Sequence, residues 1–89
     1  MEKFVVFGYY CEDAITKREP FREQHLNRLK YLKEKNILVT LGPTKCTRYL
    51  FGIFRANDEN QLRNLVEEDI YWEKGIWINY KIYEWIQAF

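Results

Sequence analysis

The order in which strand-like and helix-like segments follow one another limits the possible folds of this chain more than any other feature. Four segments are rich in β-branched and aromatic residues, which favour strands. Two segments space their apolar residues as an amphipathic helix does. The predicted strands cover residues 3–10, 37–43, 48–56 and 76–86, and the predicted helices cover residues 21–36 and 57–68.

The resulting order, β-α-β-β-α-β, predicts a ferredoxin-like α+β sandwich, in which two helices cover one face of an antiparallel four-stranded sheet. Residues 11–20 read as a polar connection. Asn36 is a predicted C-terminal cap of the first helix, and Asn57 or Asp58 is the predicted N-terminal cap of the second. No linker or repeat divides the chain, so residues 1–89 are expected to form a single domain.

The predicted strands are apolar on both faces. In the first strand, Phe4 and Val6 lie on one face, and Val5, Phe7 and Tyr9 lie on the other. In the last, alternation puts Ile76, Ile78, Tyr80, Ile82 and Ile86 on one face and Trp77, Tyr83 and Trp85 on the other. Two helices can cover only one face, so a second cover is needed. We expect a homodimer packed sheet to sheet; the alternative is that the aromatic side chains are half-exposed.

Composition excludes several classes of function. Cys11 and Cys46 form no CxxC motif, and the single histidine cannot build a zinc site, so neither a metal nor a disulfide is expected. The net charge of +1 indicates no nucleic-acid partner. No apolar run is long enough for a membrane span, no signal peptide is recognisable, and free thiols suit the cytoplasm. No GxGxxG or P-loop motif indicates a cofactor.

His25, the only histidine, lies on the apolar side of the first predicted helix. A helical wheel groups it with Phe21, Leu29 and Leu32, and places Arg22 close by. An inward-facing imidazole needs a hydrogen-bond partner. It can be a core histidine bonded to a backbone carbonyl, or a functional group paired with a carboxylate. The candidate carboxylates lie between the second helix and the last strand: Glu67, Glu68 and Asp69, of which Asp69 can instead cap a helix.

Taken together, these segments resemble the YCII-related family over nearly the whole chain. The similarity rests on the Arg-x-x-His-Leu pattern of residues 22–26, on "LVTLGP" ending at Gly42 and Pro43, and on "EEDIYWEKGIW" with Asp69, Tyr71 and Gly75. The family is similar in fold to the dimeric α+β barrels, which agrees with the dimer expected from the strand faces. This sequence departs from the family's pattern in two places: Ile70 replaces the family's proline, and the loop after Pro43 is short.

The resemblance implies that His25 and Asp69 form an active site, and that a dehydrochlorinase acting on a chlorinated hydroxyhydroquinone is a relative. We therefore expect a cofactor-independent enzyme in which His25 is a general acid/base, Asp69 orients it, and Arg22, Gly42, Pro43 and Tyr71 contact a small organic substrate. The reaction would be an isomerisation or an elimination.

Two alternatives stay open at this point. The first is a small-molecule binding protein that uses the same pocket without turnover. The second is an RNA-binding module, because the same element order occurs in the RRM fold, whose sheet displays aromatic residues. The near-neutral charge and the absence of a glycine after the basic residue of "RYLFGIF" argue against RNA.

Overall fold

The computed structural model describes residues 1–89, and its four strands and two longer helices follow the predicted order. The strands are β1 (Glu2–Tyr10), β2 (Leu38–Pro43), β3 (Tyr49–Ala56) and β4 (Trp77–Glu84). The helices are α1 (Ala14–Lys17), α2 (Arg22–Glu34), α3 (Glu59–Glu67) and α4 (Ile70–Glu73), and a 3-10 turn, Glu19–Phe21, leads into α2.

The sheet is antiparallel with the strand order β2-β3-β1-β4. β1 is a central strand, in which Phe4 pairs with Phe54 of β3 on one side and with Glu84 of β4 on the other. The two connections that carry α2 and α3 each cross over one strand, as the split β-α-β arrangement requires. The predicted α+β fold with a four-stranded antiparallel sheet is confirmed.

One apolar cluster joins both longer helices to the same face of the sheet. Alternate strand residues point into it, because successive side chains of a strand face opposite sides. Its members include Phe4 and Val6 of β1, Leu50 and Phe54 of β3, Leu32 of α2, and Leu62 and Val66 of α3. Burying one such side chain contributes about 1.5–3 kcal/mol, so this packing fixes where α2 and α3 lie.

A β-bulge in β4 changes which face its first residue occupies. Tyr9 pairs with Asn79 and Tyr10 pairs with Trp77, so Ile78 is an extra residue with no partner. Trp77 is therefore buried under the helices, at 3% exposure, and Ile78 is 56% exposed. Simple alternation grouped Ile78 with Tyr80 and Ile82, and Trp77 with Tyr83; the placements of Ile78 and Trp77 are wrong, because the bulge reverses the phase of the strand.

The ends of the longer helices agree with the predicted caps. Asp58 Oδ1 accepts a hydrogen bond from the backbone N–H of Gln61 at 2.8 Å, which caps α3. Asn36, just beyond α2, has a φ of 61°, the left-handed conformation typical of a residue that ends a helix. The segment expected to be a plain connection differs, because it folds into α1 and the 3-10 turn and buries Ala14.

Candidate active site

Helix α2 carries His25 on the side that faces the core. His25 is 4% exposed, as is Leu32, which lies two turns further along the same side of the helix. Leu26, the next residue after His25, is 43% exposed. The inward orientation expected from the helical wheel is therefore present, and the imidazole has lost most of its water.

The partner of His25 is Asp69. His25 Nδ1 lies 2.8 Å from Asp69 Oδ1, and the same oxygen accepts a hydrogen bond from the backbone N–H of Tyr71 at 2.9 Å. Asp69 is completely buried and is the N-cap of α4. Capping a helix and pairing with His25 stood as alternatives in the sequence, but one carboxylate does both. Glu67 instead accepts a hydrogen bond from the hydroxyl of Tyr80.

Arg28 holds the second oxygen of the carboxylate. Its NH1 lies 3.3 Å from Asp69 Oδ2, and its NH2 donates to the backbone oxygen of Leu65 at 2.7 Å. Glu68 also approaches NH2, at 3.9 Å. The sequence reading missed Arg28, although residues three apart on a helix share a face, and Arg28 follows His25 by that interval. The carboxylate thus faces hydrogen-bond donors on both oxygens.

These contacts determine which nitrogen of His25 carries a proton. A carboxylate can only accept hydrogen bonds, so Nδ1 of His25 must donate to Asp69. In the neutral ring, the proton is then on Nδ1, and Nε2 keeps a lone pair. Nε2 has no hydrogen bond within the protein. The arrangement leaves one imidazole nitrogen available as a proton acceptor.

Two aromatic side chains enclose the imidazole. The ring of Tyr71 stacks on that of His25, with centroids 3.7 Å apart and planes 10° from parallel. Trp77 meets both rings edge-on, at 5.3 Å from His25 and 5.7 Å from Tyr71. Trp77 reaches this position because of the bulge in β4, so its contact with His25 could not be read from strand alternation.

The other residues expected to bind substrate lie on three different elements. Tyr71 is in contact with His25, and Arg22 begins α2, one helical turn before His25. Gly42 and Pro43 lie at the end of β2, an edge strand of the sheet. Their role in substrate binding stays a prediction.

Two phenols beside the pair are kept neutral by burial. Burial raises the pKa of Tyr10, and the nearby Trp77 indole and the Arg18 charge only partly offset this effect. Burial likewise raises the pKa of Tyr71, against the opposing charges of Arg18 and Arg22. Both hydroxyls therefore keep their protons beyond the ordinary range and can act as hydrogen-bond donors.

A cavity of about 700 Å³ opens at the end of β1, and neither His25 nor Asp69 lines it. Tyr10 and Ala14, both buried, form its wall on the helix side, and Tyr9, Arg48 and Tyr49 line the opposite part. The free thiols of Cys11 and Cys46 also line it. Tyr10 lines this cavity and also lies close to Trp77, which contacts His25.

Two further features bear on the expected function. Nowhere in the structure do three or more His, Cys, Asp or Glu side chains come together in a way that could hold a metal ion. None of the helices has the length and apolar character needed to cross a membrane.

Comparisons with known proteins agree with this fold. An uncharacterised protein of Haemophilus influenzae is 45% identical over 40 residues, a match that covers 45% of this chain and spans only 41% of that protein. A solved structure, 5-chloro-2-hydroxyhydroquinone dehydrochlorinase from Burkholderia phenoliruptrix AC1100 in complex with 2,5-dihydroxybenzoquinone, superposes with a TM-score of 0.83. That alignment covers 97% of this chain and 95% of the dehydrochlorinase at 20% identity, so it supports similarity of fold.

The family comparison covers almost the entire sequence. The model of the YCII-related domain matches residues 2–86, which contain every element from β1 to β4 and both members of the His25–Asp69 pair. This chain therefore belongs to the YCII-related domain family.

Proposed function

We propose that this protein is a small cofactor-independent enzyme that transfers protons on a small organic substrate, with His25 and Asp69 as its catalytic pair. The observation that carries the proposal is the buried contact of 2.8 Å between His25 Nδ1 and Asp69 Oδ1. An imidazole held by a carboxylate suits general acid/base catalysis, because its second nitrogen takes or gives a proton in a fixed direction. Isomerisation, elimination and dehydrochlorination all need such a step.

In the proposed elimination, the Nε2 lone pair of His25 takes a proton from the substrate. The electron pair left behind forms a new double bond, and chloride leaves with the electrons of the carbon–chlorine bond. Asp69 stabilises the imidazolium, and the face of the Tyr71 ring attracts the same cation. The imidazolium then returns its proton to water, so the substrate loses only HCl and no oxidant or cofactor is consumed.

A planar phenol or quinone is the first substrate class to test. The Burkholderia dehydrochlorinase, which shares the fold, acts on 5-chloro-2-hydroxyhydroquinone and binds 2,5-dihydroxybenzoquinone. Tyr71 and Trp77 supply aromatic surface that suits a flat ring. We propose that Tyr71 and Arg22 contact the substrate next to His25.

We also propose that the protein is a homodimer packed sheet to sheet. The face of the sheet opposite the helices carries an aromatic cluster, in which Phe7, Tyr9 and Tyr49 lie with ring centroids 5.6–5.8 Å apart. Phe51 and Tyr83 are exposed on that face, at 43% and 55%. A second copy is the cover that matches this face in size and apolar character, since the same strands would meet it.

The apolar cluster supports a proposal on the extent of the domain, and the free thiols support one on its location in the cell. We propose that residues 1–89 act as one domain, since a single apolar cluster links α2 and α3 to all four strands. We propose a cytoplasmic location, because Cys11 and Cys46 are free thiols.

A binding protein without turnover is the second candidate. The observation that favours it is that Asp69 is already used structurally, as the cap of α4 and as the acceptor for Arg28. In such a protein the His25–Asp69 contact would only hold α2 against α4. Binding of a ligand would then be unchanged in variants of His25, and no variant would lose a reaction.

Chloride release from 5-chloro-2-hydroxyhydroquinone tests the enzyme. We expect release by the wild type above the rate in buffer, and a loss of about 10²–10⁴-fold in His25→Gln. Lys30→Gln is the matched control, since Lys30 is exposed on the same helix. Equal release by the wild type and a folded His25→Gln would contradict the role of His25. Release no faster than in buffer would contradict the dehydrochlorinase class.

A further inference from the structure

Two buried hydrogen-bond donors near the His25 site make no hydrogen bond of good geometry within the protein. They are Nε of Arg18 and Nε1 of Trp77, the two side-chain donors or acceptors that are fully cut off from solvent and lack a partner. Trp77 as a whole is 3% exposed. A buried donor without an acceptor is costly, and native proteins seldom leave one without a reason. Two of them beside one candidate active site therefore indicate a missing acceptor.

Both donors lie around Tyr10 and Tyr71. The Trp77 indole approaches the Tyr10 hydroxyl as a hydrogen-bond donor, and the Arg18 charge acts on both Tyr10 and Tyr71. Trp77 meets the rings of His25 and Tyr71 edge-on, at 5.3 and 5.7 Å. The two donors thus belong to the immediate surroundings of the imidazole.

The positive charge in this region also lacks a counter-charge. Neither Arg18 nor Arg22 has a carboxylate within 4.0 Å, whereas Arg28 pairs with Asp69 and Glu68. Asp69 does not serve Arg18, because its oxygens accept from His25, Arg28 and the backbone of Tyr71 and no Arg18 nitrogen lies within 4.0 Å of them. Donors therefore outnumber acceptors on the side of His25 that faces Tyr10.

We propose that Arg18, Trp77 and the hydroxyl of Tyr10 bind an oxyanion of the substrate on which His25 acts. The ligand class is a small organic anion whose carboxylate or ring oxyanion accepts hydrogen bonds from Arg18 Nε, Trp77 Nε1 and the Tyr10 hydroxyl. An indole N–H can only donate, and a guanidinium adds a positive charge. These three donors should therefore bind anions more tightly than neutral analogues. This inference rests on the proposed function, because it names the substrate class of that site.

Binding of simple probes, followed by NMR of the Trp77 indole N–H, tests the proposal without turnover. The chain has three tryptophans, and Trp77→Phe identifies the relevant signal. Benzoate probes the carboxylate and para-nitrophenolate the ring oxyanion; benzamide and nitrobenzene are their neutral counterparts. We expect at least one anion to move the Trp77 signal and to bind about tenfold or more tightly than its neutral counterpart.

The Arg18→Gln variant tests whether Arg18 is part of the anion site. We expect it to bind that anion about 10–100-fold more weakly than the wild type, and Lys30→Gln, with the same change in charge, to bind it as the wild type does. Unchanged binding in Arg18→Gln, equal binding of the neutral counterpart, or no shift of the Trp77 signal with either anion would each overturn the proposal.

The same titration on His25→Gln separates this inference from the enzyme proposal. Anion binding close to that of the wild type, together with lost chloride release, supports both. If chloride release also persists in His25→Gln, the catalytic role of His25 fails while the anion site stands. If Arg18→Gln binds normally and His25→Gln is inactive, the anion site fails while the catalytic pair stands.

Discussion

His25 Nδ1 and Asp69 Oδ1 lie 2.8 Å apart in the core, although 44 positions separate the two residues in the sequence. The contact exists because α2 and the turn before α4 pack on the same face of the sheet. Asp69 accepts hydrogen bonds from the imidazole, from Arg28 and from the backbone of Tyr71. The imidazole is thus hydrogen-bonded to a carboxylate whose two oxygens both accept further hydrogen bonds.

Asp69→Ala should destabilise the protein far more than removal of an ordinary helix cap. It leaves His25 and Arg28 without their acceptor, and breaking a buried ionic contact typically costs about 3–5 kcal/mol. Asp58→Ala is the matched control, because Asp58 caps α3 at the exposed surface and its loss should cost about 1 kcal/mol. Urea denaturation of both variants measures the difference in unfolding free energy. Equal losses would mean that Asp69 acts only as a cap.

Arg28→Gln should lower turnover by positioning Asp69 poorly, without weakening substrate binding. Arg28 touches the carboxylate and not the imidazole, so we expect kcat to fall about tenfold while KM changes little. Arg63→Gln is the control, since Arg63 makes only an exposed pair with Glu59 at 4.0 Å. Steady-state kinetics on the substrate that gives chloride release provides both constants. A rise in KM with unchanged kcat would instead place Arg28 among the substrate contacts.

The fold could be predicted from the sequence because its elements are separated by clear signals. Runs of β-branched and aromatic residues mark the strands, and Asn36 and Asp58 end or begin the helices as expected. His25 could be placed on the buried side of α2 because helical periodicity is regular over the 13 residues of that helix. Strand composition, helix caps and helical periodicity are local properties, so short stretches of sequence are enough to predict them.

The contacts that complete the site depend on irregular geometry. The extra residue Ile78 turns Trp77 onto the helix side, and nothing in an alternating strand marks where such a bulge falls. The single turn α4, begun by Asp69, is too short to give a periodic signal. Arg28 lies on a helix that was correctly placed, but its partners, Asp69 and the backbone of Leu65, come from a distant part of the chain.

Tyr10 should make stability depend on pH in the alkaline range. Burial raises its pKa in the folded state above the ordinary value of 10.0, so folding favours the protonated phenol. The stabilisation is complete below the unfolded pKa and is lost as pH rises through the folded pKa. We expect Tyr10→Phe to flatten the decline of the urea midpoint above the ordinary pKa of 10.0 and to remove a late-titrating phenol from the ultraviolet spectrum. Loss of a phenol that titrates at the ordinary pKa would show that Tyr10 titrates normally.

Phe51→Lys should disrupt the proposed dimer. Phe51 is 43% exposed on the face opposite the helices, and a lysine there would be buried without a partner between two sheets. Tyr31→Lys is the control, because Tyr31 is 56% exposed on α2, away from that face. Light scattering at micromolar concentration should give a dimer for the wild type and Tyr31→Lys and a monomer for Phe51→Lys. A wild type that is monomeric at this concentration would contradict the dimer.

The tautomer of His25 tests the central claim most directly, namely that Asp69 holds one ring nitrogen and leaves the other free for proton transfer. His25 is the only histidine, so NMR of the imidazole nitrogens gives one unambiguous pair of signals. We expect the neutral ring to carry its proton on Nδ1, with Nε2 unprotonated. A neutral ring protonated on Nε2 would contradict the claim, because Nδ1 could then not donate to the carboxylate of Asp69.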